Sequence, residues 1–133
     1  MNIKLKHIQF TDIQYKVDTF DPNITTDGLA SSLDMNVYFS PEEEFPNYFN
    51  VIFNLNMKKE DEFELLLKAN AHFTTDKNIS KSEQSSPLLK INAPAIAFPY
   101  LRTFVSNLTL NSGYNPIILP TFNFVQMAQE KLD

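Results

Sequence analysis

Few side chains in this 133-residue sequence are equipped to do chemistry. His7 and His72 are its two candidate proton carriers and metal ligands, and neither has a second His or a carboxylate nearby at ligand spacing, so no zinc or iron site is expected. The absence of cysteine removes disulfides, thiolate nucleophiles and every Cys-containing metal site, and it fits a reducing compartment. With only two glycines, the phosphate-cradling loops of nucleotide enzymes are absent. No Ser-His-Asp or paired-carboxylate motif stands out, so no catalytic residue and no cofactor is assigned. Arg102 has the fork to clamp a carboxylate, but a structural pair across a subunit interface is the preferred reading. Glu42-Glu43-Glu44 reads either as a lure for basic segments or as a solvated acidic loop.

What the sequence has in surplus is rings. Twelve Phe and five Tyr exceed what a small core needs, so some are expected to face a partner. A formal charge of −5 disfavours nucleic acid and anionic membrane surfaces and favours a basic or unfolded partner. The length suits one domain, spanning 1–133, and 43% hydrophobic against 20% charged residues excludes a disordered chain. Met1 to Phe10 lacks the apolar run of a signal peptide, and no stretch reaches the length of a membrane span. A soluble, cytoplasmic protein is therefore expected, with the sequons at Asn23, Asn78 and Asn107 arising by chance.

The elements that must position the rings follow from periodicity. Alternation of apolar and polar residues runs through Ile3–Val17, with a change of facing at residues 10 to 13 that a β-bulge explains. It resumes at Leu33, Met35, Val37 and Phe39, again from Phe49 to Met57, and most cleanly from Phe63 to Phe73. The simplest sheet has four antiparallel strands within about residues 2–75, joined by short connections. A polar loop at 76–90 follows, in which Ser80 and Glu83 have capping-box spacing. Leu101, Phe104, Val105 and Leu108 then repeat at helical spacing, with Pro99 in the first turn and Gly113 past the end, giving a helix at about 98–111. After an extended tether at 116–120, Asn123 caps a second helix at about 123–132, with Gln126 at its third position and Phe122 facing Met127. The class is α+β. Two helices cover such a sheet only partly, so oligomerisation is expected.

From Asn92 onward the sequence carries a set of motifs. They are Ala93-Pro94-Ala95-Ile96-Ala97-Phe98-Pro99-Tyr100-Leu101-Arg102, Val105-Ser106-Asn107-Leu108, Gly113-Tyr114-Asn115-Pro116, and Pro120 followed by Asn123-Phe124. Together they resemble the SecB export chaperones, which carry a Phe-Pro-Tyr triplet followed closely by Arg, a Gly-aromatic-Pro turn and a Pro-x-Asn-Phe motif opening the last helix. One residue is inserted in the last motif here, Pro120-Thr121-Phe122-Asn123-Phe124. The likeness covers about Ile3 to Leu132, at motif level only after Asn92 and as a pattern in the strands.

The resemblance implies a homotetramer, a dimer of dimers, with Arg102, Ser106 and Thr109 of the longer helix facing another subunit. It implies no catalysis: family members hold exported precursors unfolded along aromatic grooves and pass them to the translocase ATPase SecA. Phe63 corresponds to an aromatic position lining that groove, and proximity in the implied fold adds Phe39, Phe45, Tyr48, Phe122, Phe124 and Met127. Asp12 keeps one acid of the surface that meets SecA, while Lys16 and Leu66 stand where acids are expected. The sequence also runs only to Asp133, where members often carry an acidic tail. A chaperone dedicated to one client, such as an antitoxin, is therefore an alternative, as are a non-chaperone oligomeric adaptor and a small-ligand binder using the aromatic cleft.

Overall fold

The computed structural model describes residues 1–41 and 44–132, so Glu42 and Glu43 of the acidic loop lie outside the described residues. Four strands, β1 (Ile3–Val17), β2 (Ala30–Phe39), β3 (Tyr48–Lys59) and β4 (Phe63–Thr75), precede two helices, α1 (Ala93–Asn111) and α2 (Phe124–Leu132). All neighbours are antiparallel, in the order β1-β4-β3-β2. Period-2 alternation turns the odd residues of β3 and β4, Phe49 to Met57 and Phe63 to Phe73, onto one face where they are buried. Phe49 and Phe73 stack there at 5.0 Å. The ladder of β1 on β4 shifts register between Phe10 and Asp12, where the sequence predicts a bulge, and also between Leu5 and His7.

The order corrects the expectation of short connections throughout. Pairing the fifteen-residue β1 with the thirteen-residue β4 satisfies more backbone groups than pairing it with the ten-residue β2, so the chain must cross from one sheet edge to the other. That crossover, residues 18–29, is pinned along its length. Asp18 N–H donates to Glu62 O (2.8 Å) and Asn115 N–H to Pro22 O (2.8 Å). The Tyr114 hydroxyl donates to Thr19 O (2.7 Å), and Lys59 Nζ to Thr25 Oγ1 (2.8 Å). Ile24 is buried in the core.

Helix α1 begins at Ala93, not near residue 98, and is preceded by a π-helical turn at Leu88–Asn92. Pro94 therefore occupies the first turn and Pro99 the interior, where its missing N–H leaves one helical bond unmade. At the wide turn, Ala93 N–H reaches back five residues to Leu88 O. The buried stripe of α1 is Ala93, Ala97, Leu101, Val105 and Thr109, with Pro94 and Phe98 beside it, and it packs on β1 and β4. Phe104 lies at the margin, stacked on Phe10 at 3.9 Å. The helix closes in a Schellman motif: Gly113, at φ 100°, donates to Leu110 O and Tyr114 N–H donates to Thr109 O. Ser80 and Glu83 form the reciprocal cap, with Ser80 N–H on Glu83 Oε1 at 3.1 Å and Glu83 N–H on Ser80 Oγ at 3.3 Å. Asn123 Oδ1 accepts Gln126 N–H at 3.0 Å and so starts α2.

Candidate functional site

Two clefts carry aromatic rings in their walls. The first, about 220 Å3, sits beside the β2–β3 loop, with an apolar wall of Phe39, Pro41, Phe45, Pro46, Tyr48 and Ile79 and a polar one of Ser40, Ser80, Lys81 and Gln84. Phe45 is 62% exposed, an unusual state for so large an apolar ring. Phe39 is half-buried and leans on Phe49 at 6.0 Å. Tyr48 reaches this cleft, but its hydroxyl is hydrogen-bonded to Nδ1 of His72 on the opposite sheet face. Burial raises the pKa of that phenol.

The second cleft, lined by Ile91, Ala95, Phe122, Phe124 and Val125, lies where the π turn meets the start of α2. Phe122 and Phe124 both meet Phe98 edge-on, at 5.6 and 5.5 Å, so each is half core and half cleft wall. Met127 is half-buried against the same core. The π turn joins the two clefts. Ile91 belongs to the second, and Lys90 Nζ stands 5.3 Å from the ring centroid of Phe39 in the first. Burial lowers the Lys90 pKa.

Phe63 does not join this track. It is 2% exposed, paired with Lys59 and Val17 at the other end of the sheet and covered by the edge of Tyr15 at 5.8 Å. The polar row of α1 also departs from expectation, because its side chains hold the chain's own tether. Arg102 Nη2 donates to Leu119 O (3.1 Å) and Ser106 Oγ to Ile117 O (2.8 Å). Thr109 Oγ1 accepts Ile117 N–H (2.9 Å). Thr109 is fully buried within one chain and so cannot touch another subunit directly.

The outer sheet face is polar and ordered in cross-strand rows, such as Asp34–Asn54–Lys68–Asp12 and Tyr38–Asn50–His72–His7. A shallow hollow of about 430 Å3 lies at its centre, with Leu66 among its lining and Asp12 at its rim. Asp12 is exposed and accepts Gln14 Nε2 at 3.4 Å, and Lys16 is ion-paired with Asp18 at 3.8 Å. The two histidines, without neighbours in the sequence, meet here in a stack. His72 Nε2 donates to Gln9 Oε1 at 2.8 Å, which leaves Nδ1 to accept from the Tyr48 hydroxyl. Both nitrogens are therefore engaged. Burial, and then the neighbouring His7, push the His72 pKa down.

Sequence reasoning missed three features. Phe20 projects from the pinned crossover with its ring entirely in solvent. Ile96 and Tyr100 form an exposed apolar pair one turn apart on α1, a spacing legible in the sequence, and Leu110 is exposed near the end of that helix. Lys90 carried no signal at all.

Three comparisons bear on this architecture. A family model described as preprotein translocase subunit SecB matches residues 2–133. The protein-export protein SecB of Mesorhizobium japonicum is 30% identical over 107 residues, which is 79% of this chain and 62% of that protein. SecB of Sinorhizobium fredii is 28% identical over 88 residues, 65% of this chain and 53% of that protein, so the match spans only about half to two thirds of these relatives. Among solved structures, a SecB-like chaperone of Mycobacterium tuberculosis, in complex with a ChAD peptide from an antitoxin, superposes with a TM-score of 0.66 at 16% identity, covering 91% of this chain and 88% of that one. A four-stranded antiparallel sheet followed by two helices is thus the fold shared with that structure, and the match over residues 2–133 makes this chain a member of the SecB family.

Proposed function

We propose that the chain is a chaperone that holds non-native polypeptide, including precursors destined for export, and catalyses no reaction. The observation that carries this reading is the cleft of Phe39 and Phe45 beside β2, an edge strand paired, among the described residues, only with β3. An extended client segment can hydrogen-bond along such an edge while alternate side chains enter the clefts. Rings and the flexible Met127 adapt to many side chains without demanding one shape. Phe39, Phe45, Phe122, Phe124 and Met127 form the client track in this reading, with Tyr48 as a partial wall. The test is aggregation of several unrelated unfolded proteins with and without this protein at stoichiometric excess. Suppression across clients supports the reading, and no effect on any of them overturns it.

The same reading includes self-assembly into a homotetramer, a dimer of dimers, working in the cytoplasm. Its support is the exposure of Ile96 and Tyr100, and of Leu110 further along α1, which costs solvation in a lone chain. Arg102, Ser106 and Thr109 serve this interface by fixing the tether behind it. A well-folded monomer at micromolar concentration in sedimentation would refute this assembly.

A second reading, dedication to a single client such as an antitoxin, has its own support: the tuberculosis chaperone with this fold holds an antitoxin peptide. The outer face also carries Lys16 and Leu66 where the export surface for SecA calls for acids, leaving Asp12 as the proposed contact. Activity on one client alone, with no retention by SecA, favours this reading over general export.

A further inference from the structure

Asp27-Gly28, in the crossover just ahead of β2, is the one place in the sequence where an Asp or Asn is followed by glycine. Both residues are exposed and form the centre of a turn closed by Leu29 N–H on Thr26 O at 3.1 Å. Gly28 has φ 77° while φ of Asp27 is not positive, the signature of a type II turn. Among the described residues, the peptide plane between the two makes no hydrogen bond, so it rotates without breaking the bond that closes the turn. The Asp27 carboxylate likewise has no hydrogen-bond or ion-pair partner among the described residues. Space is open beside the glycine, where an added Cβ would meet nothing within 4 Å.

We propose that Asp27 is a covalent modification site, where the side chain cyclises onto the Gly28 nitrogen and reopens to isoaspartate, a substrate for carboxyl methyltransferases that act on that linkage. The proposal stands apart from the holdase reading. In the first step the Gly28 nitrogen attacks Cγ of the protonated Asp27 carboxyl. The N–Cγ bond forms, and the carboxyl hydroxyl leaves as water with the proton lost from Gly28. Water then adds back to either ring carbonyl, giving aspartate or isoaspartate with no net change in composition and no redox partner. Other positions lack the means: Asp21 precedes Pro22, which has no N–H to attack with, and Asn111 precedes Ser112, whose N–H is held by Leu108 O at 3.2 Å. Isoaspartate routes the main chain through Cβ and so adds one methylene to a short span. Behind it Ile24 is buried and Thr25 is held by Lys59, and ahead of it Ala30 pairs with Lys58. The added length therefore loosens the first pairs of β2.

The experiment incubates the full chain, folded, for several weeks at neutral pH and body temperature. Samples are then treated with an isoaspartyl methyltransferase and labelled S-adenosylmethionine, digested with trypsin, and mapped by mass spectrometry. The expected result is label on the peptide containing Asp27 in excess of that on all other peptides combined, with its unlabelled mass unchanged and cleavage before residue 27 by an Asp-specific protease lost. Asp27→Glu, which keeps the charge and would need a larger ring, should lose that label while folding as the parent does. Label spread over other Asp and Asn residues, no label at all, or label at this peptide that persists in Asp27→Glu would each overturn the site. Hydrogen exchange on the aged chain reads the consequence: protection of Ala30 to Leu33 should fall relative to fresh protein. Unchanged protection there, with the label present, overturns the loosening of β2.

Discussion

The rings of His7 and His72 lie face to face, 4.3 Å apart and 16° from parallel, at opposed positions of β1 and β4. On the outer face they are surrounded by Lys4, Lys6 and Gln9 of β1, Asn70 and Thr74 of β4, and Tyr48 and Asn50 of β3. Asp76, the carboxylate just beyond β4, is bonded to Asn2. A lowered His72 pKa means that the folded state binds a proton less readily than the unfolded chain. Stability linked to His72 is therefore complete above the unfolded histidine value of about 6.5 and is lost as pH falls below it. Thermal melts should show the melting temperature dropping between about pH 7 and pH 5. His72→Gln should flatten that part of the profile and His7→Gln only a smaller part of it, since burial is the larger cause, and an unchanged slope in His72→Gln would contradict the assignment.

The buried hydroxyl of Thr109 gives a second prediction. It takes the Ile117 N–H and also donates to Val105 O at 3.1 Å, so Thr109→Val keeps the shape and strands a buried amide. The expected cost in urea denaturation is about 1–3 kcal/mol. Sedimentation should also show a weaker assembly, because this bond fixes the tether behind the proposed interface.

Legibility in the sequence followed the range of the interaction that decides each feature. The four strands were readable because Phe49 to Met57 and Phe63 to Phe73 alternate, and burial on one face enforces alternation residue by residue. Their order was not, because placing β1 beside β4 depends on comparing strand lengths across the chain. The start of α1 was misread because Pro99 is an acceptable first-turn residue, and only the π turn behind Pro94 shows that the helix is already under way there. The meeting of His7 with His72 depends on a register that two irregularities in β1 adjust, which no spacing in the sequence reveals. For the same reason Phe63 was grouped with Phe39: alternation gives the face of a residue but not the end of the sheet at which it sits.

Packing around Phe98 sets the third prediction. Its ring is 7% exposed and holds Phe122 and Phe124 edge-on, whereas Phe104 is half-exposed and stacks on Phe10 alone. Phe98→Ala should cost about 3–5 kcal/mol and Phe104→Ala roughly half of that, measured by denaturant midpoint. Equal losses would mean that an assembly buries Phe104 as deeply as Phe98.

Client contacts should separate from stability according to exposure. The Phe45 ring is mostly in solvent and joins no buried cluster, so Phe45→Ala should leave the melting temperature and the assembly unchanged while weakening binding of an unfolded client by about tenfold, the size of an interface aromatic anchor. Tyr48→Ala should weaken client binding and lower the melting temperature as well, because it also removes the hydroxyl that holds His72 Nδ1. Phe20 provides the contrast. It is fully exposed on a crossover fixed by the neighbouring Thr19 and Pro22 carbonyls, so Phe20→Ala is likewise neutral for folding, and it weakens binding only if the client track continues past the crossover. Hydrogen exchange with and without an unfolded client would read all three positions at once. Protection of residues 39–48 and 120–127 is the expected result, and protection confined to the outer face around Asp12 and Lys16 would place the clients on the wrong side of the sheet for the Phe39 cleft.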